Sequence, residues 1–264
     1  MIKFIILTLI NIFFFFSFHK KYYLKIYLTN ILNKKFFVSK IKKKIIFFFL
    51  ENSHCLQRYK TILTKEKKTI QWLNKIKQNE ILWDIGANIG IYSLYASKIR
   101  NAKVVCFEPM SNSYNTLIKN IEINALNKKI LAYPVALGAV NEPGFSIYES
   151  NHSASARHVI TNNNIQLRKK FESIIILKPN FFKKLPKPTH IKIDTDGNEI
   201  NILNNLNKIL MSKYVKEICL EIEQDSNFEN NKTIIKKFLK KFNFENYDYE
   251  KLSIGFNFFF KKIN

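Results

Sequence analysis

Two acids and two glycines in this chain have the types and spacing to hold a nucleoside. The run Asp84-Ile85-Gly86-Ala87-Asn88-Ile89-Gly90 continues a short apolar stretch that begins at Ile81. Gly86 and Gly90 permit a tight turn and a close approach of backbone to ligand. The run is not a dinucleotide fingerprint. Asn88 stands where the middle glycine belongs, and the carboxylate of Asp84 comes before the first. That carboxylate would repel a pyrophosphate and would suit an ammonium group. Glu108, followed by Pro109, closes the next apolar run, Val104 to Phe107. A carboxylate there can accept hydrogen bonds from both hydroxyls of a ribose. A ligand that carries an adenosine, an amino acid and no phosphate satisfies both acids. S-adenosylmethionine (SAM) is such a ligand.

A second group of candidates follows the apolar run that begins at His190. Asp194 ends that run on the rim that would face the cofactor, and it can serve as a base or as an acceptor for a substrate hydroxyl. Asp196 can join it. Asp196 and Glu199 also match a capping box opening the next helix. A metal between Asp194 and Asp196 would rest on two carboxylates alone, which is thin support, so none is assigned. His152 is a further candidate base; His152 and His158 also read as exposed loop histidines. Glu221 and Glu223 face the substrate, or Glu223 is solvated beyond the strand end. Lys192, between Ile191 and Ile193, reads as snorkelling or paired with an acid. Tyr92 and Tyr95 have helical spacing and read as packing residues.

Short apolar runs alternate with helical patterns from residue 81 onward. Strands are expected at 81–85, 104–107, 130–137, 190–194 and 215–223. Helices are expected at 89–99, from a Ser111 cap with Tyr114, Leu117, Ile118 and Ile121 on one face, at 199–210, and at 233–242 with Ile234, Ile235, Phe238, Leu239 and Phe242 inward. Two closing strands, near Tyr247 and at 254–260, have little between them and suggest an antiparallel edge. The fold class is therefore α/β: a Rossmann-like, doubly wound, mostly parallel sheet with an antiparallel C-terminal edge. Residues 139–189 break the alternation and read as an insertion over the substrate face, with one hairpin strand at 144–148. Residues 51–80 read as a helical lead-in, and 81–264 as the catalytic domain.

The chain has 264 residues, 47% hydrophobic and 24% charged, which indicates a globular domain rather than a disordered one. The net charge is +23. The excess lies mostly ahead of residue 81, where only Glu51, Glu66 and Glu80 oppose the lysines. Such a field suits anionic partners, or it is a matter of composition and solubility. Residues 1–50 alternate Lys clusters with aromatic and aliphatic runs, the pattern of a basic membrane-surface element or of a Lys-rich helical lead-in. A helix over 4–18 would reach roughly 22 Å against roughly 30 Å of hydrocarbon, short for a span. A signal-anchor helix, a packed helix or a misplaced start remain open for it. The expected location is cytoplasmic, with contact at the inner membrane face. Cys55, Cys106 and Cys219 form no paired motif, and the last two read as small core residues.

These motifs together resemble the FkbM family of methyltransferases. The matching pieces are Trp83 to Gly90, Phe107-Glu108-Pro109, Val135-Ala136-Leu137-Gly138, and Ile191-Lys192-Ile193-Asp194-Thr195-Asp196-Gly197-Asn198-Glu199, with Leu220 to Glu223 and Asn257 to Phe260 behind them. The lead-in from Thr64 to Trp72 also fits, and the resemblance covers about residues 58–264. It implies SAM-dependent O-methylation of a hydroxyl on a sugar, a polysaccharide precursor or a small metabolite. It implies cofactor contacts at Asp84, Gly86, Asn88, Gly90, Glu108, Pro109 and Ala136.

Three rivals remain in view. A nucleic-acid methyltransferase would use the positive charge, but the Lys runs precede the catalytic domain and no motif typical of base methylation is present, so nucleic acid is not the expected partner. A non-catalytic module would not need intact Asp84, Glu108 and Asp194. A nicotinamide dehydrogenase is disfavoured by Asp84 and Asn88.

Overall fold

The computed structural model describes residues 36–148, 158–161 and 170–263. Within them the first element corrects the expectation of a helical lead-in where it falls on residues 36–49. Strands β1 (Phe36–Ile41) and β2 (Lys44–Phe49) form an antiparallel hairpin, with Lys42 in the left-handed region at the turn. Ile41, Ile46 and Phe48 are buried beneath it. Period-two burial was hidden in the sequence because the outward face is apolar too. Helices α1 (Ser53–Thr61) and α2 (Lys67–Lys75) follow. The Asn52 side chain caps α1 by accepting from Cys55 N–H at 2.9 Å, and Phe48 stacks on Tyr59 with ring centroids 4.2 Å apart.

The alternating part runs β3 (Ile81–Ile85), α3 (Ile91–Arg100), β4 (Lys103–Phe107), α4 (Ser111–Ile123) and β5 (Ile130–Tyr133). Met110, not Ser111, occupies the cap position of α4. Asn120 of α4 and its C-cap Asn124 bond the β2 backbone: Phe49 N–H donates to Asn120 Oδ1 at 2.7 Å and Phe47 N–H to Asn124 Oδ1 at 3.0 Å. Side chains thus replace a neighbouring strand for the hairpin. The expected strand 130–137 divides at Pro134, which has no N–H to give. There Val135 N–H turns back to Tyr133 O, and β6 (Ala136–Leu137) departs into a second sheet. That sheet adds β7 (Glu142–Tyr148), β8 (His158–Thr161) and β9 (Phe171–Leu177) in the order β6-β9-β7-β8.

A single 3-10 turn (Pro179–Phe182) leads to β10 (His190–Ile193). The expected helix 199–210 is two, α5 (Glu199–Asn205) and α6 (Asn207–Leu210), parted at Leu206. Then come β11 (Glu217–Glu223), α7 (Phe228–Lys240), β12 (Phe244–Lys251) and β13 (Gly255–Lys262). In α7, Ile235 and Leu239 are buried while Ile234 points outward. The main sheet has the order β12-β13-β11-β10-β3-β4-β5. Neighbours from β5 through β11 are parallel; β13 and β12 form the antiparallel edge. Strand order reverses between β3 and β10, so the crevice for a ligand opens at their carboxyl ends. Among the described residues no helix is long and apolar enough to cross a membrane.

Candidate functional site

A polar cleft opens at that reversal, about 100 Å³ in volume, and it is walled by Gly86, Asn88, Glu108, Pro109, Asp194 and Asp196 together with Arg58, Lys65, Glu66 and Glu221. A smaller lobe runs under it past Tyr92 and Lys192.

The β3–β4 side is built from backbone. Gly86 and Gly90 have φ of 81° and 82°. A side-chain carbon at Gly86 would stand 1.8 Å from the Asp194 carbonyl oxygen, and one at Gly90 2.3 Å from Leu117 Cδ1. The two glycines let β10 and α4 close against the turn. Asn88, also left-handed at φ 51°, donates its N–H to Glu108 Oε2 at 2.8 Å, and Met110 N–H donates to Oε1 at 2.9 Å. Each carboxylate oxygen keeps a lone pair for a ligand hydroxyl. Burial pushes the Glu108 carboxyl up to about 7 against the pull of those two amides.

Asp84 lies beneath the turn rather than in the lining. It is 1% exposed. Ser93 Oγ donates to its Oδ2 at 2.6 Å, and its Oδ1 has no partner. Burial raises its carboxyl, against the field of the Lys192 ammonium. Ala136 is also absent from the lining; it packs with Ile174 and Ile176 in the second sheet. His152 lies outside the described residues.

The β10–β11 side is built from side-chain charge. Lys192 is buried, its Nζ 2.6 Å from Asp194 Oδ2 and 5.0 Å from the centroid of Tyr92. Burial works against both charges of that pair. Burial would lift the Asp194 carboxyl, but the Lys192 ammonium holds it below its ordinary value; the Lys192 ammonium is kept on by Asp194, Asp84 and Glu66. Burial and then the Asp194 charge push the neighbouring Glu221 up to about 10. Asp194 is therefore the ionised member of the carboxyl pair and Glu221 the protonated one. Glu66 accepts from Asn257 Nδ2 at 3.0 Å and lies against Tyr92.

Asp196 is not the helix cap. Asn198 takes that position, while Asp196 has φ 54° and lines the cleft. Glu199 staples the turn: its Oε1 accepts from Thr195 N–H, Thr195 Oγ and Gly197 N–H at 3.1, 3.0 and 3.1 Å. Asp196 adopts the left-handed region, which an aspartate tolerates, and its place is in the cleft wall rather than at the helix cap. Sequence reasoning gives no site role to Glu66 and Arg58, and it reads Tyr92 as packing. Their partners come from distant segments, whereas the acidic alternation of Leu220 to Glu223 signals Glu221. Among the described residues no group of three His, Cys, Asp or Glu side chains is arranged to hold a metal.

A parallel sheet reversed at β3 and β10, with an acid at the tip of β4, defines a Rossmann-like α/β fold. A family model described as the Vibrio cholerae RfbT protein matches residues 30–259, and the chain belongs to that family. It is similar to the hexuronic acid methyltransferase AglP of Haloferax volcanii, 24% identical over 151 residues that cover 57% of this chain and 59% of the relative. It is also similar to methyltransferase sdnD of Sordaria araneosa, 30% identical over 88 residues, 33% of this chain and 28% of that one. The matched part is thus less than two thirds of either relative. The solved structure of P. horikoshii TYW2 in complex with MeSAdo shares the fold, with a TM-score of 0.50 at 12% identity over 87% of this chain and 72% of that chain.

Proposed function

We propose that the chain is a SAM-dependent O-methyltransferase of the FkbM type, acting on a hydroxyl of a sugar or polysaccharide precursor. The observation that carries this is Glu108: both of its oxygens are fixed by backbone amides at the switch point, with Gly86 and Asn88 beside it. Two relatives named as methyltransferases, one of them for hexuronic acid, support the reaction and the sugar. The residues present fit the cofactor. Glu108 would accept from ribose hydroxyls, and the acidic lining beside Gly86 suits a ligand with an ammonium and no phosphate. Asp84, with an unpartnered buried oxygen, would act from below the turn. When bound, SAM supplies a methyl group on a sulfonium leaving group.

The chain's own part is orientation and proton handling. Asp194, ionised beside Lys192, accepts the hydrogen bond of the acceptor hydroxyl and takes its proton at Oδ1 or Oδ2. Glu221 holds a proton at neutral pH and shares it with Asp194, which fixes the carboxylate's orientation. Asp196, at the mouth, offers a second acceptor to a sugar hydroxyl. The same proposal puts the chain in the cytoplasm with the apolar outer face of the β1–β2 hairpin, Phe36, Val38, Ile45 and Phe47 with Lys40 beside them, toward an anionic inner membrane surface.

Calorimetric titration with SAM and with NAD, followed by transfer of labelled methyl to uronic-acid and neutral glycosides, tests the reading. SAM binding and labelling of a glycoside are expected. NAD binding without SAM binding would remove the cofactor assignment. Salt-sensitive labelling of RNA in place of glycosides would move the acceptor to nucleic acid.

A further inference from the structure

A second cavity, about 180 Å³, lies on the face of the main sheet covered by the 3-10 turn and α6. It is reached from the loops that enter β10 and β11, so it opens at the end of the sheet opposite the SAM cleft. Its floor is apolar: Trp83, Phe182, Leu185, Ile209 and Val215. The one polar atom of Trp83 is already used, since Nε1 donates to Pro186 O at 3.0 Å. An apolar cavity of about 150 Å³ stays dry and accepts a ring the size of benzene, so the space is enough for a ring or a short alkyl chain.

Two further features turn this space toward a particular ligand. The lining holds Lys183, Lys187 and Lys208 and no acid. Lys187 rests its ammonium 5.6 Å from the Tyr214 ring; none of the three stands in an ion pair among the described residues. The segments that form the cavity also carry large apolar side chains left in water: Phe181 at 63%, Met211 at 73% and Tyr214 at 50% exposure. Apolar groups exposed together around a concavity mark a binding surface.

We propose that this cavity binds an amphipathic anion: an alkyl or aryl group on the Trp83 floor, with a phosphate or carboxylate held by Lys183, Lys187 and Lys208. The charge of the rim excludes cationic amphiphiles, and the floor gives a bare inorganic anion nothing to bury. The site is separate from the SAM cleft, and the proposal stands whether or not the methyl-transfer reading does.

The test uses the full chain and three probes below their aggregation limits: octyl phosphate, octanol and inorganic phosphate. Trp83 fluorescence reports occupancy, and SAM titration reports the first site. Octyl phosphate is expected to saturate the signal at least about tenfold more tightly than either fragment. Lys183→Gln with Lys187→Gln should weaken it about fivefold or more, and Ile209→Trp, which fills the space, should abolish it. Both variants should keep the wild-type circular dichroism and urea midpoint, which shows that they fold, and should leave any SAM binding unchanged. Equal binding of octanol would reduce the site to an apolar dimple. Unchanged octyl phosphate affinity in Ile209→Trp, or displacement of the probe by SAM, would overturn the assignment.

Discussion

The two halves of the cleft proposed for SAM are held by different means. On the β3–β4 side, Glu108 is fixed by two backbone N–H groups, from Asn88 and Met110. On the β10–β11 side, Asp194, Lys192 and Glu221 fix one another through charge and a shared proton. Backbone amides are placed by the turn, so the first half is rigid and suits a ligand whose shape never changes. Mutually held charges respond when a proton arrives or leaves, so the second half suits the reacting group. If this division is right, mutations on the two sides should split into rate effects and affinity effects.

The largest expected effect is on the charged side. Asp194→Asn should cut kcat by about 10³-fold, within the range for loss of a general base, while the Kd for SAM moves less than about threefold. Single-turnover methyl transfer and calorimetry measure the two numbers. An equal loss in both would join Asp194 to the cofactor half and erase the division.

Glu108→Ala is the converse. It removes two acceptors from a nucleoside and leaves the Asn88 and Met110 N–H groups without a partner. SAM affinity should fall by about 50-fold, about 2.3 kcal/mol, with kcat at saturating SAM changed little. Because the Glu108 carboxyl is raised to about 7, SAM affinity should also weaken as pH drops below that value, where the acceptor becomes protonated, and the variant should lose this dependence. A flat profile in the wild type would mean that Glu108 does not read the ribose.

These halves were not equally legible in the sequence. Asp84 to Gly90 and Glu108 could be read because turn, strand end and acid are close neighbours in the chain. The antiparallel edge was legible too, from two strands with no helix between them. Glu221 is legible as an acid that can face the substrate, but not as a protonated partner, because that depends on Asp194 and Lys192, which reach it only through the pairing of β10 with β11. Asp84 was given a ligand role from its position, yet Ser93 one turn into α3 covers it. The hairpin 36–49 was masked by apolar residues on both faces, which erase period-two contrast. Pro134 did carry the signal for a broken strand, but a continuous apolar run outweighed it in the reading.

Glu221→Gln sharpens the account of the charged side through stability. The folded-state value of about 10 lies above the ordinary 4.5. The folded chain therefore gains from keeping that proton. The gain is complete below the ordinary value and is lost as pH rises toward the folded one. A glutamine keeps the shape and removes the dependence. At about pH 8 the variant should be more stable than the wild type by about 2 kcal/mol, and the difference should close near pH 4. Urea melts at both pH values measure it. A variant less stable at pH 8 would mean that Glu221 is ionised and paired in the fold.

The smallest expected effect separates Asp84 from the ligand. If Asp84 serves the turn from below, Ser93→Ala should cost about 1.5 kcal/mol of stability, the worth of one hydrogen bond to a buried carboxylate. The Kd for SAM should change less than about twofold, because the lining that faces the ligand is untouched. If Asp84 instead turns its unpartnered Oδ1 toward a bound ammonium, the same change frees Oδ2 and lets the carboxylate rotate, and SAM affinity should shift clearly with or without a stability loss. Chemical denaturation with and without saturating SAM reads both quantities in one experiment: an equal loss in the two melts keeps Asp84 a structural acid, whereas a larger loss with SAM present moves it into the cofactor half beside Glu108.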